Sequence, residues 1–488
     1  MSDLLNIGKS GLFASKKSLE TTGHNLANAN TEGYSRQRVS QTNNPPVVKM
    51  GMSHGTGVRI TGVNRLHDPF IEKKLNSTIS DTKYYQSRFT QLDQVQDIFN
   101  ELTNDGLNQI LNRFYNSFRE LANQPENETI RSVVRDNASL VVKDFKRIRE
   151  ALDTAARGID NKLSISVDEV NSKLNLIAKL NKKIASIEGI AGETGDLRDQ
   201  RDLAVRDISD YFKVNVYVDG KGAYNVDAVG VGTLVSGANV QELKAGTVTL
   251  DESENKMAGS VELYFKNRPT QSITNRLKSG DMASLIRTRN NDIRKLQEDI
   301  DSIAYEFVNT VNAIHKRGFA QRKIAVDQNG NPTLVDRLGP TTGINFFKIS
   351  SGKFEAAKNF ELSDEVKSDL RNIATGVTPN SPGDNRVALA ISKLQHEKVA
   401  GDATLTLEEL YLQTIGTVGL EANKAKMDHE QAEGILAQTK GVKERMSGVS
   451  IDEETANMVR YQHAYEASAK VMKTADEMFA TVLGIMPR

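Results

Sequence analysis

Cysteine is absent from all 488 residues, which excludes disulfides, thiolate metal sites and cysteine nucleophiles together. Two readings of that absence stay open: chance or a reducing compartment, and a chain that must cross compartments without cross-links. Tryptophan is also absent and aromatics make up only 6%, which is thin for a compact globule. Ten prolines are few enough to permit long uninterrupted helices. Neither charge sign is in excess, with 63 Lys+Arg against 63 Asp+Glu, so the overall charge argues against a nucleic-acid binder or a basic membrane-surface protein. No run reaches the roughly 18 apolar residues that a bilayer span needs. The opening "MSDLLNIGKSGLFASKKSLE" lacks a basic segment, apolar run and small-residue cleavage site in succession, so Sec-type export is not expected.

The length exceeds one ordinary core, and about two to four domains are expected. Residues 4 to 29 carry Leu5, Leu12, Leu19 and Leu26 at seven-residue spacing, with Gly8, Ser15, Thr22 and Ala29 at the steps between. This is a heptad seam of large and small residues suited to close helix–helix approach. Gly8, Gly11 and Gly23 each cost about 1 kcal/mol relative to Ala inside a helix, so the helix needs a partner. The other terminus offers one. "SIDEE" from Ser450 reads as a capping box, with Glu453 reaching back. Met458, Tyr461, Tyr465, Ser468, Met472, Ala475, Phe479, Val482 and Met486 then repeat the alternating spacing.

Between the termini helical periodicity dominates. Residues 44–63 predict a short strand pair and residues 68–121 two helices. Glu126 to Glu188 is one long periodic segment of some 60 residues, about 90 Å if unbroken, a rod rather than a globule. Gly158 and "SISVD" (164–168) are its expected points of interruption. At Phe212 the period becomes alternating, with Val214, Val216 and Val218 before an Asp219-Gly220 turn, and strands are expected again at 247–250 and 260–265. Helical spacing returns at Ile293, Leu296, Ile300, Ile303 and Phe307. A mixed region spans 318–384 and includes an Asn329-Gly330 turn. Helices resume near Arg386 and at Thr406, where "TLEE" is a second capping box.

No catalytic constellation emerges. "HEKVA" (396–400) and "HEQAE" (429–433) lack the second histidine of a zinc-peptidase helix. "GVGTLVSG" (230–237) has the wrong spacing for a nucleotide loop, and "DQNGN" (327–331) has no glutamate closing a calcium loop. "DLRDQRD" (196–202) reads as a solvated helix face with local ion pairs. No enzyme activity, metal or cofactor is expected.

"LETTGHNLANANTEGYSRQRV" resembles the N-terminal signature of the flagellar rod, hook and hook-associated protein family. In that family a helix ends in an Asn-rich segment and an Asn-Thr-Pro-Gly-Tyr turn. Asn25, Ala27, Asn28, Asn30, Thr31, Gly33, Tyr34 and Arg36 match it, and Glu32 stands where proline is usual. "SGVSIDEETANMVRYQHAYEASAKVMKTADEMF" resembles the C-terminal signature through Ser447, Gly448, Asp452, Glu453, Glu454, Asn457, Gln462, Tyr465 and Lys470, among others. "SGVSIDEE", "DLRDQRD" and "GDNRVALAISKLQ" (383–395) look most like the hook-associated members.

The resemblance implies a structural subunit joining hook to filament in a ring through its terminal helices. It implies copies of itself, the hook protein, a second junction protein (hook-associated protein 3) and an export chaperone on the C-terminal helix as partners. It also implies an extracellular place on the flagellum after unfolded export by the flagellar type III apparatus. The interface is expected at Leu5, Leu12, Leu19, Leu26, Asn25, Asn28, Asn30, Gly33, Tyr34, Arg36, Met458, Tyr461, Gln462, Tyr465, Met472, Phe479 and Val482. The expected fold is mainly α with β insertions, an elongated multidomain nested hairpin. Residues 1–40 and 450–488 would form a terminal coiled coil, 41–211 and 277–449 a long-helix bundle rod including 318–384, and 212–276 a β-rich inserted outer domain. A hook or distal rod protein, and an intracellular coiled-coil scaffold, are the competing readings.

Overall fold

The computed structural model describes residues 2–49, 51–99, 106–190, 192–220, 222–247, 260–327, 331–349, 352–401 and 403–485. Met486, the strand positions 248–250 and the Asn329-Gly330 turn lie outside these residues. Helix α1 (Ser2–Ala27) is followed by strands β1 (Gln37–Asn43), β2 (Val47–Lys49), β3 (Met52–His54) and β4 (Val58–Arg65). β1 pairs antiparallel with β4 and β2 with β3. The expected strand pair is therefore present, but its first strand begins earlier, at Gln37. Helices α2 (Pro69–Ile98), α3 (Leu107–Asn123), α4 (Glu128–Glu188) and α5 (Gly195–Tyr211) come next.

Neither Gly158 nor the 164–168 stretch interrupts α4, which is continuous over 61 residues. Its apolar positions Phe145, Ile148, Leu152, Ile159, Leu163, Val170, Leu174 and Ile177 are buried throughout, and tertiary packing outweighs the cost of one glycine within the helix.

The β-rich stretch forms two sheets. β5 (Val214–Val218), β6 (Tyr224–Ala228), β7 (Gly232–Ser236) and β8 (Asn239–Val240) make one in sequence order. β9 (Leu243–Thr247), β10 (Val261–Phe265) and β11 (Arg268–Ser272) make the other. Helix α6 (Asp281–Arg287) leads through a π-helical turn, 288–293, into α7 (Arg294–His315). The mixed region holds the two-residue strands β12 (Val335–Asp336) and β13 (Gly339–Pro340) and the short helix α8 (Asp364–Ser368). Helices α9 (Arg386–Lys393), α10 (Leu407–Ser447) and α11 (Ile451–Ile485) close the chain. At Thr406 the capping box forms in full: its amide donates to Glu409 Oε2 at 2.9 Å, and the Glu409 amide donates to its hydroxyl at 3.1 Å.

The chain divides into two compact units. The first comprises residues 1–85, 163–283 and 429–488, and the second 86–162 and 284–428. The core of the second gathers Phe114, Phe118, Phe145, Phe307, Phe346, Phe347 and Phe360, ring against ring. A chain poor in aromatics still builds a dense core here by concentrating them in one place.

The joint between the terminal helices

Within the first unit α1 packs against α11. The two run antiparallel, because Gly8 lies at Met472, Gly11 at Ser468 and Asn25 at Glu454. A methyl group on Gly8 would stand 2.8 Å from Met472 Cγ and 3.2 Å from the Met472 backbone nitrogen, so only glycine allows this approach. The residues of α1 that become buried are small or polar: Gly8, Ala14, Ser15, Ser18, Thr21, Thr22 and Asn25. The expected leucine seam is displaced. Leu12, Leu19 and Leu26 are half-buried beside the contact line and Leu5 is exposed. On α11, Met458, Tyr461 and Met472 are half-buried and Ala475 is buried, as the spacing implied. Phe479 and Val482 do not join this packing and are exposed, since α1 begins opposite residue 479 or thereabouts and leaves the last turns of α11 uncovered. Gln462 and Tyr465 also face outward.

The segment after α1 is locked by hydrogen bonds. The Asn25 amide donates to the Gln37 carbonyl and accepts from the Gln37 amide, both at 2.9 Å, so one side chain clasps the first residue of β1. The same side chain donates to Glu454 at 3.0 Å and accepts from the Tyr34 hydroxyl at 2.8 Å. Between them, residues 31–34 close a turn, with the Tyr34 amide on the Thr31 carbonyl and Gly33 at φ +82°. That glycine in the third position, over Leu203 of α5, is the mark of a type II turn. Asn28 holds the His24 carbonyl locally, and Asn30 is exposed.

Arg36 joins three pieces of chain. Its amide donates to the Ser447 carbonyl at the end of α10, and its guanidinium reaches Glu453 at 2.7 Å and Glu454 at 2.5 Å. The capping box expected at Ser450 is accordingly only half formed. Ser450 accepts from the Glu453 amide at 3.5 Å, but the Glu453 carboxylate serves Arg36 instead of the cap.

Behind the joint lies α5, and here the expectation of a solvated face for "DLRDQRD" is overturned: Asp199, Arg201 and Asp202 are all buried. Asp199 accepts from the Ser35 amide at 2.8 Å and from Arg65 at 2.9 Å, and Arg65 also reaches Asp202. Asp202 takes the Tyr224 hydroxyl at 2.7 Å, and the Arg201 guanidinium stacks 3.5 Å from the centre of the Tyr224 ring. Burial raises the Asp199 pKa despite the Ser35 and Arg65 donors. For Asp202 burial works in the same sense, but Arg65 and the Tyr224 hydroxyl outweigh it and the pKa is lowered. Burial, together with Asp196 and Asp199, raises the Tyr34 hydroxyl well above its ordinary value. Arg65, Glu72, Glu454, Asp199 and Tyr224 were not singled out as a site by spacing, because their partners are distant in sequence. Their only sequence signal is that Glu454 and "DLRDQRD" fall in the family-like segments.

Among the described residues, His67, Glu72 and Asp202 are the one group close enough to share a metal ion. Arg65 already neutralises Asp202, while Arg206 and Lys443 lie on Glu72 at 2.5 and 3.1 Å. Two of the three carboxylate or imidazole groups are thus already engaged by cations, and the cluster acts as a set of ion pairs. The contacts of the joint fix helix ends to one another. No helix among the described residues is long and apolar enough to cross a membrane.

Sequence and fold comparisons agree with this arrangement. Residues 92–332 match the flagellar hook-associated protein FlgK helical domain. Residues 5–34 match the flagella basal body rod protein family, and residues 444–485 the flagellar basal body rod FlgEFG protein C-terminal family. The chain belongs to the FlgK-type family of flagellar hook-associated proteins. It is 29% identical to the flagellar hook-associated protein 1 of Bacillus subtilis (strain 168), over 99% of this chain and 98% of that one. The corresponding protein of Salmonella typhimurium is 24% identical, over 99% and 100%. The fold is similar to that of the flagellar hook junction protein FlgK from Burkholderia pseudomallei, with a TM-score of 0.63, 15% identity, and 78% and 100% of the two chains covered. The family is structural, not enzymatic, and its helical-domain match sets aside the hook, distal rod and unrelated scaffold readings.

Proposed function

We propose that this chain is the structural subunit that joins hook to filament in the bacterial flagellum, and that copies of it close into a ring through the paired terminal helices. The observation that carries the ring reading is the outer surface of that pair. Its inner face is closed by small residues, while Leu5, Phe13, Val459, Val471, Phe479 and Val482 remain exposed on a chain of balanced charge. Such a face suits neighbouring copies, with the hook protein on one side and hook-associated protein 3 on the other. Residues 1–40 and 450–488 would line the inner tube, the long helices would surround it, and 212–276 would face solvent. Before assembly the exposed end of α11 is the natural place for an export chaperone, and absent cysteine suits unfolded passage through the flagellar type III apparatus. Electron microscopy of a strain lacking this protein tests the role: hooks without filaments, with filament protein released to the medium, are expected. Normal filaments would refute it.

A further inference from the structure

The second unit contains a recess of about 690 Å³, walled by the first turn of α4, the chain following α7 and the loop at 375–382. Its charged lining is Arg131, Arg322, Lys323 and Arg371 against Glu126 and Glu128. These cations differ in how they are compensated. Arg322 reaches Asp336 at 2.7 Å, and Arg371 forks onto Asp369. Arg131, only 1% exposed, makes no ion pair among the described residues, and Glu128, three positions before it, is the carboxylate that acts on its charge. Its guanidinium donates to the Ile373 and Pro125 carbonyls and to the Thr375 hydroxyl, and its Nε meets no acceptor. Lys323 is exposed and makes no ion pair among the described residues.

Neutral carbonyls satisfy donors but leave the net charge of a buried guanidinium in place, and a low-dielectric wall projects that charge into the adjoining recess. Burial outweighs the attraction of Glu128 and pulls the Arg131 pKa down to about 10, so the group is still charged at neutral pH. We propose that this recess binds a carboxylate group, with Arg131 as the counter-charge beneath it and Lys323 as the donor at its rim. Phe319 and Pro382 supply an apolar wall for the carbon body. The volume lies within the range of about 300–1,000 Å³ usual for small-ligand sites. A free carboxylic acid and an acidic side chain of another protein share this chemistry.

Calorimetric titration of the full chain separates them, using succinate, an acetylated Asp/Glu hexapeptide and sodium chloride at constant ionic strength. Saturable binding of succinate or peptide, but not chloride, is expected, and which of the two binds identifies the source. Lys323→Glu should weaken it at least ten-fold, while Lys398→Glu, the same charge change at another exposed lysine of this unit, should not. No saturable binding, equal binding of chloride, or equal losses in the two variants would overturn the proposal.

Discussion

Glu454 is a carboxylate only 2% exposed, and it persists there because Arg36 and Asn25 both donate to it. Breaking a buried pair of this kind costs about 3 kcal/mol, since the remaining charge stays desolvated. Glu454→Ala should therefore speed hydrogen exchange of the α1 amides about 100-fold, while amides of the α7 core keep their protection. Glu32 has the opposite status. It occupies the second position of the 31–34 turn, where proline is favoured, and its amide makes no backbone hydrogen bond among the described residues that proline would remove. Glu32→Pro should raise stability by about 0.5 kcal/mol, seen as a small rise in melting temperature, by restricting the unfolded chain. His315 gives the second unit a pH dependence. It is fully buried and neutral, with Nδ1 donating to the Ile344 carbonyl and Nε2 accepting from the Ala374 amide. Burial lowers its pKa from 6.5 to about 4. Protonation therefore favours the unfolded chain: this stability is complete above about pH 6.5 and is lost as pH falls towards 4. Unfolding free energies from urea titrations should fall over that window by on the order of 3 kcal/mol, and less in His315→Gln.

One device recurs among the elements, an asparagine whose amide bonds both backbone groups of one residue on another segment. Asn25 does this to Gln37, and Asn380 does it to Ile324. On α4, Asn181 clasps Tyr224 of the four-stranded sheet, and Asn171 clasps Leu243 of the three-stranded one. A side-chain amide carries donor and acceptor on one end, so it can stand in for the next strand's backbone. Periodicity exposes apolar faces but is blind to these clasps, whose partners lie 12 to 72 residues away. The α1–α11 contact depends on another short-range property, absence of side-chain bulk. Gly8→Leu should force the helices apart at Met472. Limited trypsin digestion should then cut rapidly at Lys16 and Lys17, with the β sheets left intact. Protection equal to that of the unaltered chain would count against the close approach.

For the whole molecule, the decisive distinction is between surfaces that serve the fold and surfaces left over by it. Phe479 is 53% exposed and lies beyond the start of α1, so the monomer does not rely on it. Phe479→Asp should leave the circular dichroism and melting temperature of the purified chain unchanged, yet give hooks without filaments in cells. Filaments of normal number and length would remove the terminal helices from the assembly interface.

Element type and order were legible from the residues alone, because helix and strand periods are local and ten prolines left them uninterrupted. So was membership of the flagellar family, carried by "NLANANTEGYSR" and "SGVSIDEE". Tertiary structure alone decided which charges are buried and which face of α1 meets α11. "DLRDQRD" has the composition of a solvated face, and it is buried only because Arg65 and Tyr224 arrive from elsewhere to neutralise and cover it. Arg36 and Glu454 stand 418 positions apart, a separation over which no spacing rule acts. Only a folded chain can bring together two charges that neither could bury alone.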